Sequence, residues 1–352
     1  MSGHRRSRRM SITAPDAGLA TAWDTTVDDA PVALSARHGL LAVAGASGMV
    51  WVLDAATGAG IDTFELPGGA LSVALAPDAR HAAATGPTGY ALWRREDSRT
   101  TVRDTGAWSS AAVWANHERV AIASGRRAHV LTPDGDERWA TEPAASTVTD
   151  LAWLRQGRRL AIAAYGAVRC HERHTPKPVA TYPYIGSHLA LAVAPTGRWI
   201  CSGNQDASIH IWRTRDASEL TMSGYPGKVS RLAFDDTGFW LAADGAPDVT
   251  VWDFSGKGPA GTAPRSLRCH QNVTALAWRP GGDGHLASGG HDGTVAVWPA
   301  TAGRPGSRLS PARTLDGDAA VASLAWAGPE LLVAAYRDGS VRAHQLPSGT
   351  TL

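Results

Sequence analysis

The residue pattern of Val273–Trp298, VTALAWRPGGDGHLASGGHDGTVAVW, recurs along the chain and narrows its fold more than any other feature. It reads as an alternating strand, a Gly/Pro turn, a short apolar strand, a polar Asp-Gly turn, and a second alternating strand ending in Trp. The same order returns in segments ending at Trp93, Trp212 and Trp252, and in weaker copies ending at Leu53, Leu131, His171 and His344. The eight equivalent positions are spaced 40, 38, 40, 41, 40, 46 and 46 residues apart. Such a unit buries its apolar faces against neighbouring copies, which predicts one all-β propeller of four-stranded blades. Counting gives eight blades; seven is the alternative, because half of the copies are degenerate.

The copy ending at Trp298 resembles a nearly complete WD40 repeat, with Cys269-His270 where that family carries Gly-His. The resemblance implies a buried hydrogen-bond network formed by His270, Ser288, Asp292 and Trp298. The fifth copy offers Ser202, Asp206 and Trp212 without the His, and the sixth ends in the dipeptide Trp252-Asp253. The likeness covers roughly residues 30–347 and weakens in the first, third, fourth and eighth copies, which lack the Trp.

A propeller must close its ring to remove free sheet edges. The eighth copy shows three strands, so its fourth is expected from the N-terminus, where Gly18–Val27 alternates well and Trp23 parallels Trp139 of another outer strand. The expected organisation is a flexible basic tail over 1–17 and one propeller domain over 18–352. Ser7-Arg8-Arg9 begins like a twin-arginine export signal, but Pro15 and Asp16 interrupt the apolar stretch that would have to follow.

With 34 basic and 32 acidic residues, bulk charge gives no reason to expect nucleic-acid binding apart from the tail. Three cysteines without CxxC spacing suggest reduced thiols and a cytoplasmic protein. No apolar run is long enough for a membrane span. The use of Arg over Lys, with only Lys177, Lys228 and Lys257, suggests a GC-rich bacterial genome.

Enzyme motifs are missing: there is no P-loop, no G-x-S-x-G and no H-E-x-x-H. Cys170, Glu172 and His174 form the densest group of metal-ligand types, and strand alternation would put them on one face opposite His171. No fourth ligand is visible nearby, so no metal and no cofactor are expected. The resemblance implies instead that partners dock on the ring face carrying the interblade turns and the turns between second and third strands. Mapped onto that plan, the interblade turns hold Trp108, Tyr184 and Tyr225, with His188 and Lys228 beside them, and the inner turns hold Arg126, Gln205, His291 and Arg337. Trp, Tyr and Arg dominate interface energetics. The expected function is therefore a non-catalytic scaffold or adaptor for a protein or peptide partner. The alternatives are a metal- or cofactor-binding propeller using His and Cys ligands, and a quinoprotein-like oxidoreductase, suggested by the turn LDAATG.

Overall fold

The computed structural model describes residues 20–346 apart from Ala246. These residues form eight antiparallel sheets and, among the described residues, no helix. Each sheet is one blade; seven are built from strands in sequence order, and the eighth takes its outer strand from Ala20–Thr26. Blade one, for example, runs through Pro31–Arg37, Leu40–Gly45, Met49–Asp54 and Gly60–Glu65.

The repeat spacing reappears as register. Leu53, Trp93, Leu131, His171, Trp212, Trp252, Trp298 and His344 all lie in third strands. Each sits opposite an apolar residue of the second strand: Leu41, Ala82, Val120, Leu160, Ile200, Leu241, Leu286 and Leu332. The degenerate copies therefore keep the pairing and change only what fills the interblade layer. Seven of these positions are buried, and Trp252 is half-exposed.

Neighbouring blades are also joined through their first strands. Indole N–H groups of Trp114, Trp153, Trp278 and Trp326 donate to the carbonyls of Ala74, Val113, Ala233 and Ala277 in the preceding blade, at 2.8–3.0 Å. These are the four first-strand tryptophans aligned by the repeat. At other junctions a side-chain oxygen accepts a first-strand N–H of the next blade: Ser35 from Leu75, Asp150 from Leu191 and Ser323 from Leu34. Each bond satisfies a group facing the next blade in a crowded interior, where an unpaired polar atom costs about 1–3 kcal/mol.

The ring closes as its edges require. Ala20–Thr26 pairs antiparallel with Ser340–Gln345, the third strand of blade eight. Trp23 is buried, and its Nε1 donates to Ala55 O across the join to blade one at 3.0 Å. Gly58 takes a left-handed φ of 73° under that indole, where a Cβ would lie 2.6 Å from Trp23 Cε3. Here only glycine meets both conditions. Gly18 and Leu19, like the expected tail over 1–17, lie outside the described residues.

One blade departs from four strands. Arg308–Leu309 adds a two-residue parallel strand outside Arg265–Arg268 of blade six. It comes from the connection after Trp298, one of the two places where the repeat lengthens to 46 residues.

Candidate functional site

Strands alternate in direction, so all the interblade turns and all the turns between second and third strands share one end of the ring. The remaining turns occupy the other end. Hydrogen bonds knit the first set into a continuous surface over blades three to five. Gly125 N–H donates to Trp108 O, Val148 N–H to Gly125 O, Tyr165 N–H to Ser146 Oγ and Tyr184 N–H to Gly166 O.

Three large apolar side chains stand out of this surface: Trp108 at 50 %, Tyr165 at 50 % and Ile185 at 86 % exposure. Arg126 lies between the first two, exposed, with its Nε donating to Ala144 O at 2.7 Å. Gln205 is exposed on the blade-five turn. Lys228, His291 and Arg337 are exposed at the same end on blades six, seven and eight, away from the apolar trio.

Three residues expected on this face are withdrawn from it. His188 is fully buried in blade five. Tyr184 lies over His210, with ring centres 3.7 Å apart and planes tilted by 30°, meets His188 edge-on, and donates its hydroxyl to Asp206. Tyr225 is half-buried; it receives the Trp252 Nε1–H at 3.0 Å and shares a hydrogen bond with Thr250 Oγ1 at 2.8 Å.

Blade seven explains what the two tyrosines do. There His270 Nε2 and Trp298 Nε1 converge on Ser288 Oγ at 2.7 and 2.8 Å, and all three residues are buried. Asp292 Oδ1 lies 3.6 Å from His270 Nδ1. Burial would raise the Asp292 carboxyl, but the Thr294 and Gln271 N–H groups and His270 outweigh it and hold it below the usual carboxylate range. Burial depresses His270 in turn, against the pull of Asp292.

In blade six the position of Ser288 is occupied by Ala243, and Tyr225 supplies the missing hydroxyl to Trp252. In blade five the His is missing, and Tyr184 holds Asp206 in its place, aided by Ser208 Oγ at 2.7 Å. The tyrosines repair incomplete networks. A Ser288→Ala change strands two buried polar groups and is expected to cost about 2–4 kcal/mol in urea unfolding. Ser202→Ala should cost about 1 kcal/mol or less, because among the described residues the Ser202 hydroxyl bonds only Asn204, at 3.2 Å, and leaves the Trp212 indole untouched. Equal losses at both positions would refute this division of labour.

The metal-ligand group does not assemble. Its strand ends at Glu172, and Arg173-His174 forms a tight turn with His174 at φ 72°, so alternation does not carry His174 onto the face of Cys170. Cys170 is sealed in the core, where burial pushes its thiol up to about 12, and Glu172 is bound by Arg159. Among the described residues no group of three or more His, Cys, Asp or Glu could hold a metal.

Tyr165 and Ile185 were not singled out from the sequence. Ile185 is the neighbour of Tyr184 in YPYIG, and no strand alternation extends through that turn to say which of the two points outward. Tyr165 occupies the inner turn of blade four, where blade seven has His291 and Asp292.

Comparison with known proteins agrees with this architecture. The WD domain, G-beta repeat model matches residues 177–213 and 261–299, which contain the third strands of blades five and seven. A periodic tryptophan protein 2 homologue of Schizosaccharomyces pombe is 32% identical over 142 residues, 39% of this chain and 16% of that protein. The rice small ribosomal subunit protein RACK1y is 26% identical over 46% of each chain. The WD repeat-containing protein slp1 of S. pombe is 27% identical over 60% of this chain and 43% of its own. The chain thus spans less than half the length of these relatives. In structure it is similar to the computationally designed Ika8 protein, with a TM-score of 0.75 at 19% identity over 94% of this chain and 99% of that one. Repeat matches, WD-repeat relatives, third-strand register and the blade-seven network converge on one description: the chain carries WD40 repeats and folds as a β-propeller of the WD40-repeat type.

Proposed function

We propose that this propeller is a non-catalytic scaffold that holds a protein partner on blades three to five, at the end carrying the interblade turns. The observation that carries the reading is the row of Trp108, Tyr165 and Ile185, three large apolar side chains held out of a hydrogen-bonded surface on successive blades. Single exposed apolar residues are ordinary; a rimmed group on one face is the usual mark of an interaction site. Trp and Tyr commonly serve as anchors in such sites. Relatives carrying WD repeats include components named for the ribosomal subunit and for ribosome biogenesis, which suits a role inside a larger assembly. Free Cys170, Cys201 and Cys269 suit a reducing compartment such as the cytoplasm.

The test is photo-crosslinking in native extract. A crosslinker replacing Ile185 should capture one protein, and the same probe at Phe239, exposed at the opposite end, should not. Trp108→Ala/Tyr165→Ala/Ile185→Ser should weaken the purified pair at least about tenfold while leaving the melting temperature unchanged, since truncated anchors often cost about 2 kcal/mol each. Capture that is equal at both ends, or that survives the triple variant, would refute the assignment.

A further inference from the structure

At the opposite end of the ring, charge is sorted by blade. Residues 1–19 contribute four arginines and one aspartate, so the rest of the chain carries 30 basic and 31 acidic groups and is close to neutral. Yet the turns at this end of blades four and five expose Arg155, Arg158, Arg173, His174, Arg198 and Arg215. The acidic groups of these turns, Glu172 and Asp216, are engaged by inner arginines. Arg159 grips Glu172 through Nε at 2.9 Å and Nη2 at 2.5 Å, and Arg213 Nη2 lies 2.8 Å from Asp216, which the outer Arg215 also reaches at 3.5 Å. The outer arginines thus form a positive rim on an otherwise balanced ring.

The backbone beneath that rim is unusual. Arg155, Gln156 and Gly157 take successive left-handed φ values of 51°, 56° and 78°. Asn or Gly adopts that region readily, whereas a longer L-residue pays about 1–2 kcal/mol. Such departures from local preference collect at functional positions. Here the turn sets Arg155 and Arg158 side by side at the outer edge, joined by a 3.3 Å bond from Arg158 N–H to Arg155 O. Arg198 is held in turn by donating to Gly256 O at 2.9 Å.

We propose that this end of blades four and five docks an acidic protein segment, a run of Asp and Glu whose carboxylates pair with the arginine forks. Charge complementarity carries the proposal, and the Arg159–Glu172 pair, in which Nε and Nη2 both donate to Oε1, shows an arginine of this end engaging a carboxylate through two donors. The patch lacks what a single-stranded nucleic acid would need. Bases stack best on exposed Trp, Tyr or Phe rings, and none of the exposed large apolar residues, Tyr165 and Phe239 included, lies on these turns, where His174 is the one exposed aromatic ring among the described residues. The surface is separate from the apolar row of the proposed scaffold function, which occupies the other end. It also lies across the ring from blade eight, where residues 1–19 join.

The test uses the full chain and a fluorescent oligoglutamate peptide of about 20 residues. Binding should fall about tenfold between about 50 and 200 mM salt, as expected for exposed charge pairs. Arg155→Glu/Arg158→Glu/Arg173→Glu should weaken it a further tenfold or more with the melting temperature unchanged, whereas Arg5→Ser/Arg6→Ser/Arg8→Ser/Arg9→Ser should keep most of it. The proposal is overturned if the blade-four variant binds like the parent, or if the tail variant loses all binding. It is also overturned if an oligothymidylate of equal length binds tenfold more tightly than the peptide, which would assign the rim to nucleic acid.

Discussion

Deleting residues 1–28 is expected to lower the melting temperature by about 10 °C or more, or to leave the chain insoluble. The deletion removes the strand Ala20–Thr26, which supplies the outer pairing of blade eight along its whole length, and with it the buried side chains of Trp23 and Val27. Losing a buried Trp side chain alone costs about 3–5 kcal/mol. Domains of ordinary stability hold about 5–15 kcal/mol in total. The deletion also cuts the hydrogen bond from Trp23 Nε1 to Ala55 and that from Val27 N–H to Gly339 O, both at the join between blades eight and one. The third strand of blade eight would then become an open edge, the feature that closed rings exist to avoid. Trp23→Ala should show a smaller loss of the same kind. Moving residues 18–28 to the C-terminus behind a short linker should restore the melting temperature, because blade eight would then be completed by a hairpin as the other blades are. An unchanged melt after deletion, or no rescue by the permuted chain, would show that closure contributes little.

How much of this could be read from the residues follows from the period of each structure. Strands repeat every two residues and blades about every forty, so third-strand positions such as Leu131 and His344 align even where the Trp is lost. Closure was legible for the same reason: three strands in the last unit and an alternating N-terminal segment leave one solution. Turns carry no such period. Tyr184 and Ile185 are adjacent, yet one turns in to hold Asp206 and the other turns out to solvent. The network residues were legible in blade seven because all four types are present. In blades five and six they were legible only in part, because the completing hydroxyls of Tyr184 and Tyr225 arrive from the interblade turn instead of from the repeat positions. The parallel strand Arg308–Leu309 left only a trace in the sequence, a spacing of 46 in place of 40.

Acid should destabilise the ring well above the range in which carboxylates titrate. His188 and His344 are buried, and burial depresses each from 6.5 to about 4; His210 adds to this for His188, and Arg342 for His344. Asn204 and Asp206 oppose the shift for His188, and Asp24 opposes it for His344. A group whose folded pKa lies below its unfolded value is held neutral by the fold. Its stabilising contribution is complete above 6.5 and is lost as the pH falls from 6.5 towards 4, up to about 3 kcal/mol per histidine. Asp150 works in the opposite sense. Burial pushes its carboxyl up to about 6, against hydrogen bonds from Leu191 and Leu151, so stability is gained as the pH falls through 6. That group is half-buried on the central channel, where water tempers the gain, so the two histidines outweigh it. The net expectation is a loss of about 3–5 kcal/mol in unfolding free energy between about pH 7 and pH 4.5, measured by urea titration. The repeat supplies the control substitutions. His188 aligns with Val273, and His344 with Leu53 and Leu131, so His188→Val/His344→Leu puts residues already used by sister blades into the same register. The double variant should flatten the profile to within about 1 kcal/mol, or tilt it towards greater stability in acid as Asp150 takes over. A parent with no pH dependence in this window, or a double variant that keeps the full slope, would place the acid sensitivity elsewhere in the ring.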